Sequence, residues 1–164
     1  MPILDPFSLE LFSRNPDQTR RFGMRFGALI EEGDVVCFHG GLGAGKTTFI
    51  QGIAQGWGSL DPVSSPTFVL INEYRRADGN LLFHMDAYRI GSVYEAEDLD
   101  LERLWTGGAL LVEWSERIEA VLPADRLLID MKTISEETRR ITFVPSGEKY
   151  RKTVDLFRKR SFGV

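Results

Sequence analysis

Apolar and polar positions along the chain mark out short strands alternating with helices. Ser8-Leu9-Glu10-Leu11-Phe12 alternates with period two, the pattern of an edge strand. Asn15 caps a helix that has Pro16 in its first turn, where the missing N–H costs nothing. Phe22, Phe26, Leu29 and Ile30 recur at helical spacing, and Gly33 is expected to close that helix. Val35-Val36-Cys37-Phe38-His39 is a β-branched and aromatic run that reads as a buried strand. Thr47 to Ala54 reads as a second helix, ending near Gly56-Trp57-Gly58. Val69 to Arg75 and Leu81 to Asp86 are strand-like runs around Asp78-Gly79-Asn80, which predicts a hairpin. Ser92-Val93-Tyr94-Glu95 has the form of a capping box opening an acid-rich helical stretch. Ala109 to Glu113 is another apolar strand, after which Ser115 is expected to cap a short helix stopped by Pro123. Arg126 to Asp130 and Arg140 to Val144 supply two more strands.

Between the Val35–His39 strand and the helix that follows lies Gly40-Gly41-Leu42-Gly43-Ala44-Gly45-Lys46-Thr47, which fits G-x-x-x-x-G-K-[ST]. Strand, glycine-rich turn and helix form the context in which this pattern carries a physical meaning. Glycines let the backbone curl so that N–H groups point at a phosphate chain, and the helix start adds about half a positive charge there. Gly41, Leu42, Gly43, Ala44, Gly45, Lys46, Thr47 and Thr48 are the residues expected to bind the nucleotide. Lys46 is expected to reach the β- and γ-phosphates and Thr47 to hold Mg²⁺. The predicted fold class is therefore α/β: a three-layer P-loop NTPase fold, with a mostly parallel central sheet and an antiparallel hairpin after the P-loop helix.

Composition narrows the setting. With 164 residues, 43% of them hydrophobic, the chain is large enough for one real core. No apolar run is long enough to span a membrane, and the opening residues lack a basic segment followed by an apolar one, so a cytoplasmic address is expected. The lone Cys37 reads as a small buried hydrophobe. Net charge is −4, yet Glu148 to Arg160 carries six Lys/Arg against two acids, so the remainder is more acidic than the total. Tyr150, Val154 and Phe157 share a helical face in that segment. The division drawn from this is a P-loop nucleotide-binding domain over 1–147, which the resemblance given below makes an ATPase domain, and a basic C-terminal helical tail over 148–164. The tail is read as a solvated helix packed on the domain, with contact to RNA or an acidic partner as the sharper alternative.

A nucleotide hydrolase needs a carboxylate near the metal, and two buried strands end in one, Asp86 and Glu113. Periodicity does not rank them, and strand-end salt bridges with Arg89 or Arg117 are the alternative use of both. Thr67 follows Pro66 in a stiffened loop where its hydroxyl can report on a γ-phosphate.

Taken together, Gly40 to Thr48, Ser65-Pro66-Thr67-Phe68, His84-Met85-Asp86-Ala87-Tyr88-Arg89 and Val112-Glu113-Trp114 resemble the TsaE (YjeE) family in order and spacing. Leu122 to Leu127 resembles a further stretch of it, and the likeness runs from about Phe7 to Val144. The resemblance implies an ATPase of tRNA threonylcarbamoyladenosine biosynthesis. Family members act with the TsaD–TsaB complex, reach tRNA through it, and hydrolyse ATP weakly until those partners are present. It also implies Lys46 and Thr47 for phosphate and metal, Thr67 as a switch, Asp86 and Glu113 for Mg²⁺ and hydrolysis, and Trp114 beside the nucleotide. Gly41 stands where many relatives carry an acid.

A small-molecule P-loop kinase is the alternative, although the post-loop hairpin occupies the part of the chain where an acceptor pocket is often built. A regulatory GTPase is disfavoured because no Asn-Lys-x-Asp segment occurs and Arg89 stands where a glycine is required. A nucleotide-gated binding module without turnover differs from the ATPase only in hydrolysis.

Overall fold

The computed structural model describes residues 5–64 and 71–163. In chain order the elements are β1 (Leu9–Ser13), α1 (Pro16–Gly27), β2 (Val35–His39), α2 (Lys46–Trp57), β3 (Ile71–Arg75), β4 (Leu81–Asp86), α3 (Val93–Asp98), α4 (Leu101–Thr106), β5 (Ala109–Glu113), β6 (Arg126–Thr133), β7 (Arg139–Ser146) and α5 (Glu148–Phe162). The strands form one sheet in the order β1-β7-β6-β2-β5-β4-β3. The four central strands β6, β2, β5 and β4 run parallel, and antiparallel strands finish both edges.

Both faces of β2, β4 and β5 are covered, so apart from His84 and the residues at their ends these strands are apolar, and their alternate residues serve different cores. Val36, Phe38, Leu82, Leu111 and Ile129 join Phe26, Ile50, Ile53 and Phe157 on the face covered by α1, α2 and α5. Val35, Cys37, Met85, Leu110 and Val112 face Ala96, Leu101, Leu104 and Ile118 on the other. Burial pushes the Cys37 thiol up to about 11, which leaves it an inert filler.

On the first face α1 and α2 touch backbone to backbone. A Cβ on Gly27 would stand 2.0 Å from Ile53 O, and one on Gly56 would stand 1.9 Å from Met24 O. Gly23 and Gly52 meet the carbonyls of Phe49 and Arg20 in the same way. Four glycines at i, i+4 spacing on two helices thus set their separation. Gly56 belongs to the helix interior, and the turn that ends α2 is made by Gly58 at φ 102°.

The remaining differences from the sequence expectations are local. Helix α1 stops at Gly27, because Leu29 and Ile30 tighten into bonds to the carbonyls of Phe26 and Gly27; Gly33 instead turns the chain into β2. The acid-rich stretch is two helices, broken where Asp100 takes a left-handed φ of 51°. Ser92 Oγ accepts from Glu95 N, but Glu95 Oε2 accepts from Gly91 N, so the reciprocal bond of a capping box goes one residue upstream. Ser115 does not cap a helix: it opens the first of two 3₁₀ turns, and the residue before that turn, Trp114, makes no side-chain cap bond. Strands β6 and β7 are longer than the periodicity indicates and pair with each other over eight positions.

Helix α5 (Glu148–Phe162) shares the main core. Tyr150, Val154 and Phe157 are buried in it, Tyr150 Oη accepts from Val35 N at 2.9 Å, and Lys149 pairs with the buried Asp34 at 2.8 Å.

The helix contact makes a direct prediction. Gly27→Ala and Gly56→Ala should each cost about 2 to 4 kcal/mol in urea unfolding, despite alanine's better helix propensity, because the opposing atoms are backbone. Gly41→Ala, with nothing within 4 Å of the added carbon, should change stability by about 0.5 kcal/mol or less.

Candidate functional site

The parallel strands end together, and that register builds the site. Phe38 pairs with Glu113 and Glu113 with Asp86, so both carboxylates stand on neighbouring strands just below the glycine loop. Residue parity puts Asp86 and Glu113 on the face that carries Leu82 and Leu111, the face covered by α2. A cleft of about 480 Å³ opens there, lined by the loop residues Gly41 to Thr48 together with Asp86, Glu113 and Trp114.

The loop itself is shaped by glycines at the positions where its turn demands them. Gly43 and Gly45 have φ of 76° and 94°, and Gly45 forms the N-cap of α2. Ala44 N donates to Gly41 O at 3.2 Å and Phe49 N to Gly45 O at 3.0 Å. The loop also has an outside support: Arg139, at the start of β7, donates from Nη2 to Gly43 O at 3.1 Å and from Nη1 to the carbonyls of Ser135, Glu136 and Thr138. One guanidinium therefore ties the β6–β7 turn to the loop.

Lys46 is 7% exposed and folds back over the loop. Its Nζ donates to Gly40 O at 2.6 Å and lies 4.1 Å from the centre of the Trp114 ring. Burial pushes the ammonium below its ordinary range, while Glu113, Glu116 and Asp86 pull it back up. Trp114 reaches this position through a left-handed backbone, φ 57°, which is strained for so bulky a residue. That kink follows Glu113 directly and turns the indole under Lys46, with Tyr88 packed against it at 5.0 Å between ring centres.

Asp86 Oδ1 accepts from Tyr88 N at 2.8 Å. Glu113 is 6% exposed, and its Oε2 lies 2.7 Å from Nε2 of the fully buried His84. Among the described residues neither carboxylate pairs with Arg89 or Arg117; Arg117 instead stacks on Tyr88 at 5.0 Å.

The comparisons with known proteins agree on the family. The family model described as "Threonylcarbamoyl adenosine biosynthesis protein TsaE" matches residues 13–141. The chain belongs to the TsaE family. The tRNA threonylcarbamoyladenosine biosynthesis protein TsaE of Bacillus subtilis (strain 168) is 45% identical over 138 residues, 83% of this chain and 85% of that protein. The protein of the same description from Treponema pallidum (strain Nichols) is 39% identical, over 79% of this chain and 96% of its own length. A crystal structure of Bacillus subtilis YdiB superposes with a TM-score of 0.78 at 35% identity, covering 94% of this chain and 96% of that one. The TsaE family model thus spans the glycine loop, both strand-end carboxylates and Trp114.

The fold brings Gly41 to Thr48, Asp86, Glu113 and Trp114 to one cleft. Thr67 lies outside the described residues. The sequence assigns no role to Arg139 or Tyr74, and His84 enters there only as part of the segment shared with the family. For His84 a signal existed, a lone imidazole in the otherwise apolar Leu81–Met85 run; for Arg139 none did, because its partner carbonyl is 96 residues away.

Replacing Arg139 by alanine should release the loop. Amide exchange measured by mass spectrometry is expected to quicken in peptides covering residues 41–46 and 135–138 and to stay at the parent rate over β2 and β5. Unchanged exchange at both places would show that the loop holds its shape without the guanidinium.

Proposed function

We propose that this chain is an ATP-binding and ATP-hydrolysing accessory protein for threonylcarbamoylation of tRNA, working with the TsaD–TsaB complex. One observation supports it above the others. A lysine parked on a loop carbonyl faces two carboxylates at the ends of neighbouring strands, in a cleft floored by a helix start. That is the layout of a triphosphate site with a metal and a water-orienting group.

Thr47, Asp86 and Glu113 offer one hydroxyl and two carboxylates, hard oxygen donors of the type Mg²⁺ takes. Among the described residues no three acidic, His or Cys side chains cluster to hold an ion unaided, so phosphate oxygens and water would complete the shell. Bound there, Mg²⁺ supplies neutralisation of the terminal phosphate oxygens. The protein's own part is positional. Lys46 leaves Gly40 O for the phosphates, the curled loop encloses them, and Glu113 orients the attacking water and takes its proton.

The reading is tested by phosphate release from Mg-ATP, alone and with TsaD–TsaB and tRNA. Slow turnover that rises strongly with the partners is expected; phosphate appearing on a metabolite would instead identify a kinase. Lys46→Ala should weaken ATP binding about 10- to 100-fold in calorimetry, the scale of one lost charge-assisted contact. Glu113→Ala and Asp86→Ala should keep ATP binding and lower turnover about 100-fold or more. Normal phosphate release from either would move the hydrolytic role to another group.

A further inference from the structure

Below the cleft, three neighbouring strands carry a polar chain that the site as described does not use. His84 Nε2 lies 2.7 Å from Glu113 Oε2, and His84 Nδ1 lies 3.0 Å from Tyr74 Oη. His84 is fully buried and Tyr74 is nearly so. In register, His84 sits opposite Leu111 on β5 and Asn72 on β3, so each link of the chain is a diagonal step to the next strand on the same face. Apolar neighbours Leu82 and Met85 complete this stretch of β4. A leucine at position 84 would pack with no polar group to satisfy, so the imidazole needs another reason to be there.

The protons can be assigned by counting donors. Tyr74 has one hydroxyl proton, and burial holds its pKa above the ordinary range, so it keeps that proton. The hydroxyl has two acceptors within reach, His84 Nδ1 at 3.0 Å and the carbonyl of Ser64 at 3.3 Å, which also receives Asn72 Nδ2 at 3.0 Å, and the shorter contact is the one to the imidazole. With the hydroxyl given to Nδ1, the imidazole's own N–H stands on Nε2 and points at a carboxylate oxygen that only accepts. The opposite tautomer would set a bare nitrogen against that oxygen in a dry interior.

We infer that His84 and Tyr74 are positioning residues for Glu113: Tyr74 fixes the His84 tautomer, and His84 Nε2–H holds Glu113 Oε2 so that the other oxygen serves the cleft. This rests on the hydrolytic reading of Glu113. It parallels the way a hydrogen-bonded second group orients a metal-ligating or proton-accepting one.

The test separates orientation from folding and from binding. In stopped assays of phosphate release, His84→Asn, which cannot reach Glu113, should lower kcat about 10- to 100-fold while affinity for a non-hydrolysable ATP analogue stays within about twofold. His84→Gln, whose amide can replace Nε2–H, should recover part of that loss. Tyr74→Phe should lower kcat by a smaller factor and add nothing in the His84→Asn background. Parent-like kcat in folded His84→Asn, or kcat and affinity falling together, would overturn the proposal. ¹⁵N spectra of the parent imidazole supply a readout independent of turnover and of any variant's folding. Protonated Nε2 and bare Nδ1 are expected, with the Nε2–H signal moving in Glu113→Gln. The reverse tautomer, or a signal indifferent to Glu113, would sink the linkage. A parent protein that releases no phosphate would instead overturn the hydrolytic reading, leaving the spectra to decide the pairing itself.

Discussion

Helices α1 and α2 lie so close that the carbonyls of Met24 and Ile53 fill the space where side chains of Gly56 and Gly27 would be. Backbone cannot yield as a flexible side chain does, so this contact fixes the depth at which α2 sits on the sheet. The glycine loop is the N-terminal continuation of α2, and the position of Lys46 follows from that of the helix. Phe22 and Phe26 on α1 and Ile50 and Ile53 on α2 then fill the core beside the contact, which makes the placement a consequence of packing rather than of the loop itself. Loop curvature can be specified within eight residues, but its height above the strand ends cannot.

The sheet supplies the other half of that geometry. Parallel strands between two helical layers must be apolar on both faces, which leaves polar side chains only at strand ends or in compensated pairs. Asp86 and Glu113 take the first option. His84 takes the second, with Glu113 on one nitrogen and Tyr74 on the other. A slip of one residue between β4 and β5 would put the carboxylates on different faces and separate His84 from Glu113. The same register therefore serves the core and the cleft.

What the sequence revealed follows from the range of each interaction. Period-two and helical patterns are local, and the strands, the glycine loop, the terminal carboxylates and the mixed sheet were all legible from them. Gly52 and Gly56 were not, because a glycine late in a helix has the same local signature as a terminator, and only the facing helix reveals it as a notch. Ser115 failed as a cap for a related reason. The strained Trp114 before it already turns the chain, in a conformation that carries the indole beneath Lys46. Register, the Arg139 support and the Tyr74–His84–Glu113 chain depend on pairings across strands that no single segment encodes. For the basic terminal segment the helical spacing of Tyr150, Val154 and Phe157 already indicates a packed face, and the fold seats that face in the main core.

The resting place of Lys46 connects these levels. A buried ammonium beside two carboxylates would ordinarily be expected to pair with one, and such a pair would compete with an incoming anion for the same charge. Here it is held by the Gly40 carbonyl and the face of Trp114, a cation–π contact of about 0.5 to 2 kcal/mol. Glu113 meanwhile is occupied by His84. On the ATP-hydrolysing function proposed above, keeping the cation and the carboxylate on separate partners would leave the one for phosphate charge and the other for the water beside it. The strain at Trp114 is then intelligible, because the indole supplies a holding site for the charge that is weaker than any anion.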